Sequence, residues 1–211
     1  MLLLLAALAA AANHQLPAQG RNAAAFVPKG WEQESAHTPD LDQDGKPDLV
    51  LIVRAPEYES RRLLAARATA GGYRNIGEAY LAVHPLADAS VSFTNRGVLI
   101  VEDLTGGTTA TNSTMRYRYA PPQPGSPEGR MRYIGLDISL YSRTNRHDAT
   151  NLSYNWLTGD WSRQIDKLTK RGDYAPQPAK RAKGEPRDWY MEDTADPDDV
   201  LSAEQGHGDE E

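Results

Sequence analysis

The segment Asp40-Leu41-Asp42-Gln43-Asp44-Gly45-Lys46-Pro47-Asp48 sets acidic side chains at relative positions 1, 3, 5 and 9 of a short loop, with glycine at position 6. A hard divalent cation takes about six to eight oxygen ligands at roughly 2.3–2.6 Å, and alternate side chains converge on one point when glycine makes the sharp turn. Asp40, Asp42, Asp44 and Asp48 supply carboxylates, and the main-chain carbonyl of Lys46 at position 7 supplies a further oxygen. Position 12 is Leu51 rather than the bidentate Glu of an EF-hand, and no helical pattern flanks the loop, so a paired-helix calcium site is rejected. The expectation is a calcium loop holding a structural ion, because four carboxylates nearly fill the coordination sphere and leave little room for substrate or an activated water. The competing reading is a solvated Asp-rich turn that caps a strand. The matched spacing, the glycine and the apolar run that follows favour the ion.

The stretch DLDQDGKPDLVLIV resembles the calcium loop of FG-GAP or VCBS-type repeats, in which an Asp-rich loop leads straight into a hydrophobic strand. That resemblance implies metal binding by Asp40, Asp42, Asp44, Asp48 and the Lys46 carbonyl. It does not carry over the propeller, which needs several copies where this chain has one. More widely, FVPKGW at 26–31, the loop and strand, and the segments from RYIG at 132–135 to LTG at 157–159 are similar to a family of small exported bacterial proteins of undefined function, over residues 26–165.

Other catalytic chemistry is sparse. The chain has no cysteine, which removes disulfides, thiolate metal sites, iron–sulfur clusters and thiol nucleophiles. His14, His37, His84, His147 and His207 form no H-x-x-x-H pair, and no G-x-S-x-G elbow, Walker loop or dinucleotide fingerprint is present. Asp137 beside Ser139 has a place for an acid, yet a lone carboxylate on a polar strand face is most often simply solvated. A hydrolase or other enzyme with dispersed residues near Asp137, His147 and the arginines is the alternative to a binding role. Arg130, Arg132, Arg143 and Arg146, near Tyr117, Tyr119, Tyr133 and Tyr141, suggest a base- or sugar-stacking patch, but tyrosine is also an ordinary strand residue. The Arg171-Gly172-Asp173 tripeptide is short enough to arise by chance, and the sequons at Asn112 and Asn151 matter only in a host that glycosylates them, which the bacterial resemblance does not imply.

The elements that must position the loop read as strands. LVLIV at 49–53 follows the acidic loop and has the unbroken apolar character of a strand covered on both faces. Residues 61–69 and 73–83 flank Ala70-Gly71-Gly72 as a hairpin, although Leu63, Leu64 and Ala65 would also suit a helix. Residues 98–101 and 108–119 continue the pattern, with Met115, Tyr117 and Tyr119 on one face and Arg116 and Arg118 on the other. Along 130–141, Ile134, Leu136, Ile138 and Leu140 are expected on one face, opposite Tyr133, Asp137, Ser139 and Tyr141. Leu152, Tyr154 and Trp156 repeat the alternation before a turn at Thr158-Gly159-Asp160. About eight strands at such spacings predict a mainly β domain, an antiparallel sheet, sandwich or partly open barrel with little helix.

Over all 211 residues the formal charge is −6, but residues 171–211 hold 5 basic and 12 acidic side chains, a balance of −7, which leaves +1 for residues 1–170. Nonspecific nucleic-acid binding is therefore not expected. The acidic, proline-bearing end is read as a flexible extension over 169–211. At the start, MLLLLAALAAAA is 12 uncharged residues, too short for a helix of roughly 20 residues to cross a bilayer. It reads as a signal peptide ending in an A-x-A site before Asn13, followed by a linker over 13–25, with the missing basic front residue as its departure from the usual pattern. The sequence as a whole predicts a periplasmic or secreted β domain over 26–168 without a membrane span. Its expected role is to bind an envelope protein or glycan.

Overall fold

A computed structural model describes residues 16–124 and 128–206. The expected signal segment 1–12 lies outside the described residues. The chain forms two antiparallel sheets that share one apolar core and do not close into a barrel. The first sheet runs in the order β1 (Gln19–Gly20), β5 (Gly72–Tyr80), β4 (Arg61–Thr69), β3 (Leu49–Arg54), β2 (Glu32–His37). The second begins at one edge with β6 (Ser90–Phe93) and passes through β7 (Val98–Gly106), β8 (Thr109–Ala120), β9 (Arg130–Ser142) and β10 (Ala149–Asn155) to β11 (Asp160–Leu168). Along β11, β12 (Tyr174–Pro176) and β13 (Lys180–Lys183) pair with successive stretches. Among the described residues one α-helix, α1 (Pro197–Gly206), follows.

β3 explains itself from its composition. Val50 and Ile52 face the core between the sheets, while Leu49, Leu51 and Val53 face a second apolar cluster. Both faces are dry, so an unbroken β-branched run is stable there. The second cluster is closed by Leu16, 3% exposed, and Phe26, 0% exposed. The expected linker over 13–25 is thus corrected across its described part: Leu16, β1 and a 3-10 turn at Ala23–Phe26 are packed structure that covers the outer face of β3 and β4. Burying a side chain such as Phe26 contributes roughly 1.5–3 kcal/mol, which no polar tether would supply.

β4 and β5 form the expected hairpin, and the helical alternative for residues 61–69 is not adopted. On β8 the expected faces hold, with Met115 and Tyr117 buried and Arg116 and Arg118 turned away from the core. On β9 one part of the alternation is corrected. Tyr133 and Met131 are 0% exposed and lie in the core with Leu136 and Ile138, because the pairing with β8 slips between Arg116 and Tyr117. Tyr117 pairs with Tyr133 and Arg116 with Gly135, so Ile134 is the extra residue of a bulge. A bulge of one residue moves every side chain beyond it to the opposite face.

The segment after Leu168, expected to be flexible, is corrected as far as residue 206. Besides β12 and β13, the chain is tied by the Tyr133 amide to the Trp189 carbonyl at 2.9 Å and by the Arg187 amide to the Trp156 carbonyl at 2.7 Å. Met191 is 0% exposed, and Leu201 is buried. A Cβ at Gly77 on β5 would approach Met191 and Met131 to 3.0–3.1 Å, so the absent side chain is what lets this strap enter between the sheets. A few apolar anchors spaced along a polar stretch offset its ordering without any sustained hydrophobic period.

Candidate metal centre

The acidic loop joins β2 to β3, and both of its ends are fastened. The Asp48 amide donates to the Pro39 carbonyl at 2.6 Å, closing the loop at its neck. Asp48 is 0% exposed, and its two carboxylate oxygens accept the amides of Leu41 and Ala68, each at 2.8 Å. The first of these bonds holds the loop to itself, and the second anchors it to β4. Within the turn, Gly45 has φ +83°, the left-handed conformation that glycine adopts without a Cβ penalty. That turn folds the Asp44 and Gly45 amides over Asp40, whose oxygens accept them at 3.1 and 3.0 Å.

The result brings together three of the sequence-predicted ligands. Asp40, Asp42 and Asp48 each offer a carboxylate oxygen within 4.8 Å of the other two. Asp44 lies outside this triad. Its carboxylate accepts the Lys46 amide at 2.9 Å and pairs with Lys46 Nζ at 2.7 Å. That pair is solvent-facing, which makes it worth little and easily rearranged. The hydrogen bonds from Lys46 hold the Asp44 carboxyl below its usual range. Burial pushes the Asp48 carboxyl up, against the pull of its two amide donors.

The donor set fits a hard cation. All the donors are carboxylate oxygens, and an oxygen that accepts one amide bond retains a second acceptor site. Arg67 on β4 reaches Asp42 at 3.4 Å and provides one positive charge beside the triad. Two further supports were not apparent from the sequence. The Gln43 side chain donates to the Asn95 carbonyl at 3.1 Å, and Gly97, with φ +70°, packs so closely that a Cβ there would lie 2.6 Å from the Leu41 carbonyl oxygen. The turn between β6 and β7 therefore buttresses the acidic loop from the second sheet. Asn95-Arg96-Gly97 signals only a turn, and nothing local indicates what that turn leans on.

The other candidates are placed apart from one another. Asp137 accepts Arg116 and Ser153, each at 2.6 Å, whereas His147 bonds Thr109 Oγ1 at 2.8 Å and the Asp148 carbonyl at 2.7 Å. Among the described residues no bond links Asp137 to His147. Tyr117 and Tyr133 are stacked inside the core, 5.3 Å between ring centres, rather than displayed for a ligand. Arg130 and Arg132 pair with Glu192 and Asp188, both at 2.9 Å.

No family model, curated protein or solved structure matches the chain. The site is therefore interpreted from its own chemistry. No helix among the described residues is long and apolar enough to cross a membrane.

Proposed function

We propose that the protein is an exported β domain whose acidic loop binds calcium as a structural ion, and that it acts in the cell envelope as a binding module rather than a catalyst. The observation that carries the calcium reading is the convergence of Asp40, Asp42 and Asp48 within 4.8 Å on a loop with glycine at its sharp turn. Three carboxylates with one arginine at their edge leave a negative excess that a divalent ion neutralises. The resemblance of the loop to FG-GAP and VCBS calcium loops supports the same ion, with Asp44 and the Lys46 carbonyl completing the oxygen set once the Asp44–Lys46 pair opens. The leucine- and alanine-rich start of the chain, with its A-x-A site, supports export. An envelope protein or a glycan is the expected partner.

Calorimetric titration of calcium into chelator-stripped protein tests the first part. One site per chain is expected, with binding lost in Asp42→Asn, and heats that do not saturate would overturn it. For export, the mature protein recovered from a periplasmic or culture fraction should begin at Asn13. Full-length protein confined to the cytoplasm would contradict that reading.

A further inference from the structure

A second site lies between the sheets, and none of the acidic loop's residues contributes to it. A cavity of about 460 Å³ opens where the end of β5 meets β7 and β8, roofed by residues 194–198 at the start of α1. Its volume falls in the usual range for small-molecule pockets, about 300–1,000 Å³. The walls are apolar in part, with Leu81, Val83 and Met115 supplying a body-binding surface.

The charged groups are mainly acidic. Asp103, Asp196 and Asp198 line the cavity with a single histidine, His84, and among the described residues no Lys or Arg does. Asp103 is 3% exposed and accepts Arg61 Nη1 through both oxygens at 2.9 Å, so its charge is already compensated from behind. Asp196 and Asp198, exposed at the start of α1, have no such partner among the described residues. One oxygen of Asp196 accepts the Asp198 amide at 2.8 Å, and one oxygen of Asp198 accepts Thr111 Oγ1 at 3.2 Å. Both are neutral donors, and each carboxylate retains acceptor capacity toward a ligand. An apolar chamber edged by carboxylates with acceptor capacity to spare favours a ligand that carries donors and positive charge at one end of an apolar body.

We propose that this intersheet cavity binds a small organic amine, its apolar body against Leu81, Val83 and Met115 and its cationic head toward Asp196 and Asp198. The test uses the full chain and 2-phenylethylamine as probe, with 2-phenylethanol and 3-phenylpropionate as neutral and anionic comparators of similar shape. Amide chemical shifts should saturate with the amine at Gly106, Ser113 and Thr194, and the two comparators should bind far more weakly. Asp196→Asn/Asp198→Asn keeps residues that still cap a helix and should weaken amine binding by about tenfold or more. Thr105→Leu narrows the cavity without altering a carboxylate and should also reduce binding. The proposal is overturned by shifts that fail to saturate up to about 10 mM amine or centre elsewhere, by equal binding of the anion, or by a double variant that is folded and binds like the parent.

Discussion

Arg61 is 0% exposed, and it holds two acidic side chains from different sheets: Glu34 on β2, through Nε at 2.7 Å and Nη2 at 2.5 Å, and Asp103 on β7 at 2.9 Å. Arg54 adds a bond to Glu34 at 2.7 Å. Arg61→Met would leave two buried carboxylates without their common partner and should cost about 3–5 kcal/mol, read as a lower urea midpoint at unchanged slope. The same network predicts a pH signature. Burial opposes the charge on Glu34, but the bonds from Arg61, Arg54 and the Ala89 amide outweigh it and bring the carboxyl from 4.5 down to about 2. A depressed carboxyl contributes stability that is complete above the unfolded value and is lost as pH falls from 4.5 to about 2. Asp48 and Asp103, raised by burial, act in the opposite sense, because protonation relieves their cost. Urea midpoints measured down that range should fall more steeply for the parent than for Glu34→Gln, and parallel curves would contradict the assignment. At this scale the acidic loop was legible because its four carboxylates lie within nine residues. Glu34 was not: it is the extra residue of a bulge between Gln33 and Ser35, and its partners are 20 to 55 residues away in the chain.

Among the elements, the central strands were the easiest to read, since LVLIV is buried on both faces and alternation along β8 marks its core side. The chain ends were not legible for a common physical reason. Leu16, Met191 and Leu201 stand singly or in very short apolar runs within polar stretches, too short to carry a period. Their worth lies in the cavities they fill, which exist only once distant strands are paired. Met191→Ala removes a side chain seated against Gly77 and Met131 and should cost about 2–5 kcal/mol in chemical denaturation. A value near zero would mean that the strap is not part of the cooperative unit. The bulge at Ile134 was hidden in the same way, because a slip in register is set by the partner strand as well as by local composition.

Across the whole molecule, the uneven charge acquires a use. Asp188 and Glu192, in the strongly acidic end of the chain, pair with Arg132 and Arg130 on β9, while the apolar anchors of the same segment enter the core. Exposed pairs of this kind contribute about 0–1 kcal/mol each, so added salt should alter stability only slightly. The mainly β class and the antiparallel pairing were legible from turn spacing and alternation, but the contact between sheets through Gly77 was not. The acidic loop ties the first sheet to the turn at Asn95–Gly97 of the second, so an ion bound there should stabilise both sheets together. At a calcium concentration about one hundred times the dissociation constant, linkage gives roughly 2.7 kcal/mol. For a chain of this size that corresponds to a rise in Tm of about 5–10 °C. The decisive measurement is the Tm of chelator-stripped protein with increasing calcium, alongside Asp40→Asn/Asp42→Asn. A saturable rise in the parent and none in the variant is predicted, and a flat curve in the parent, or an equal rise in both, would contradict the assignment of the loop.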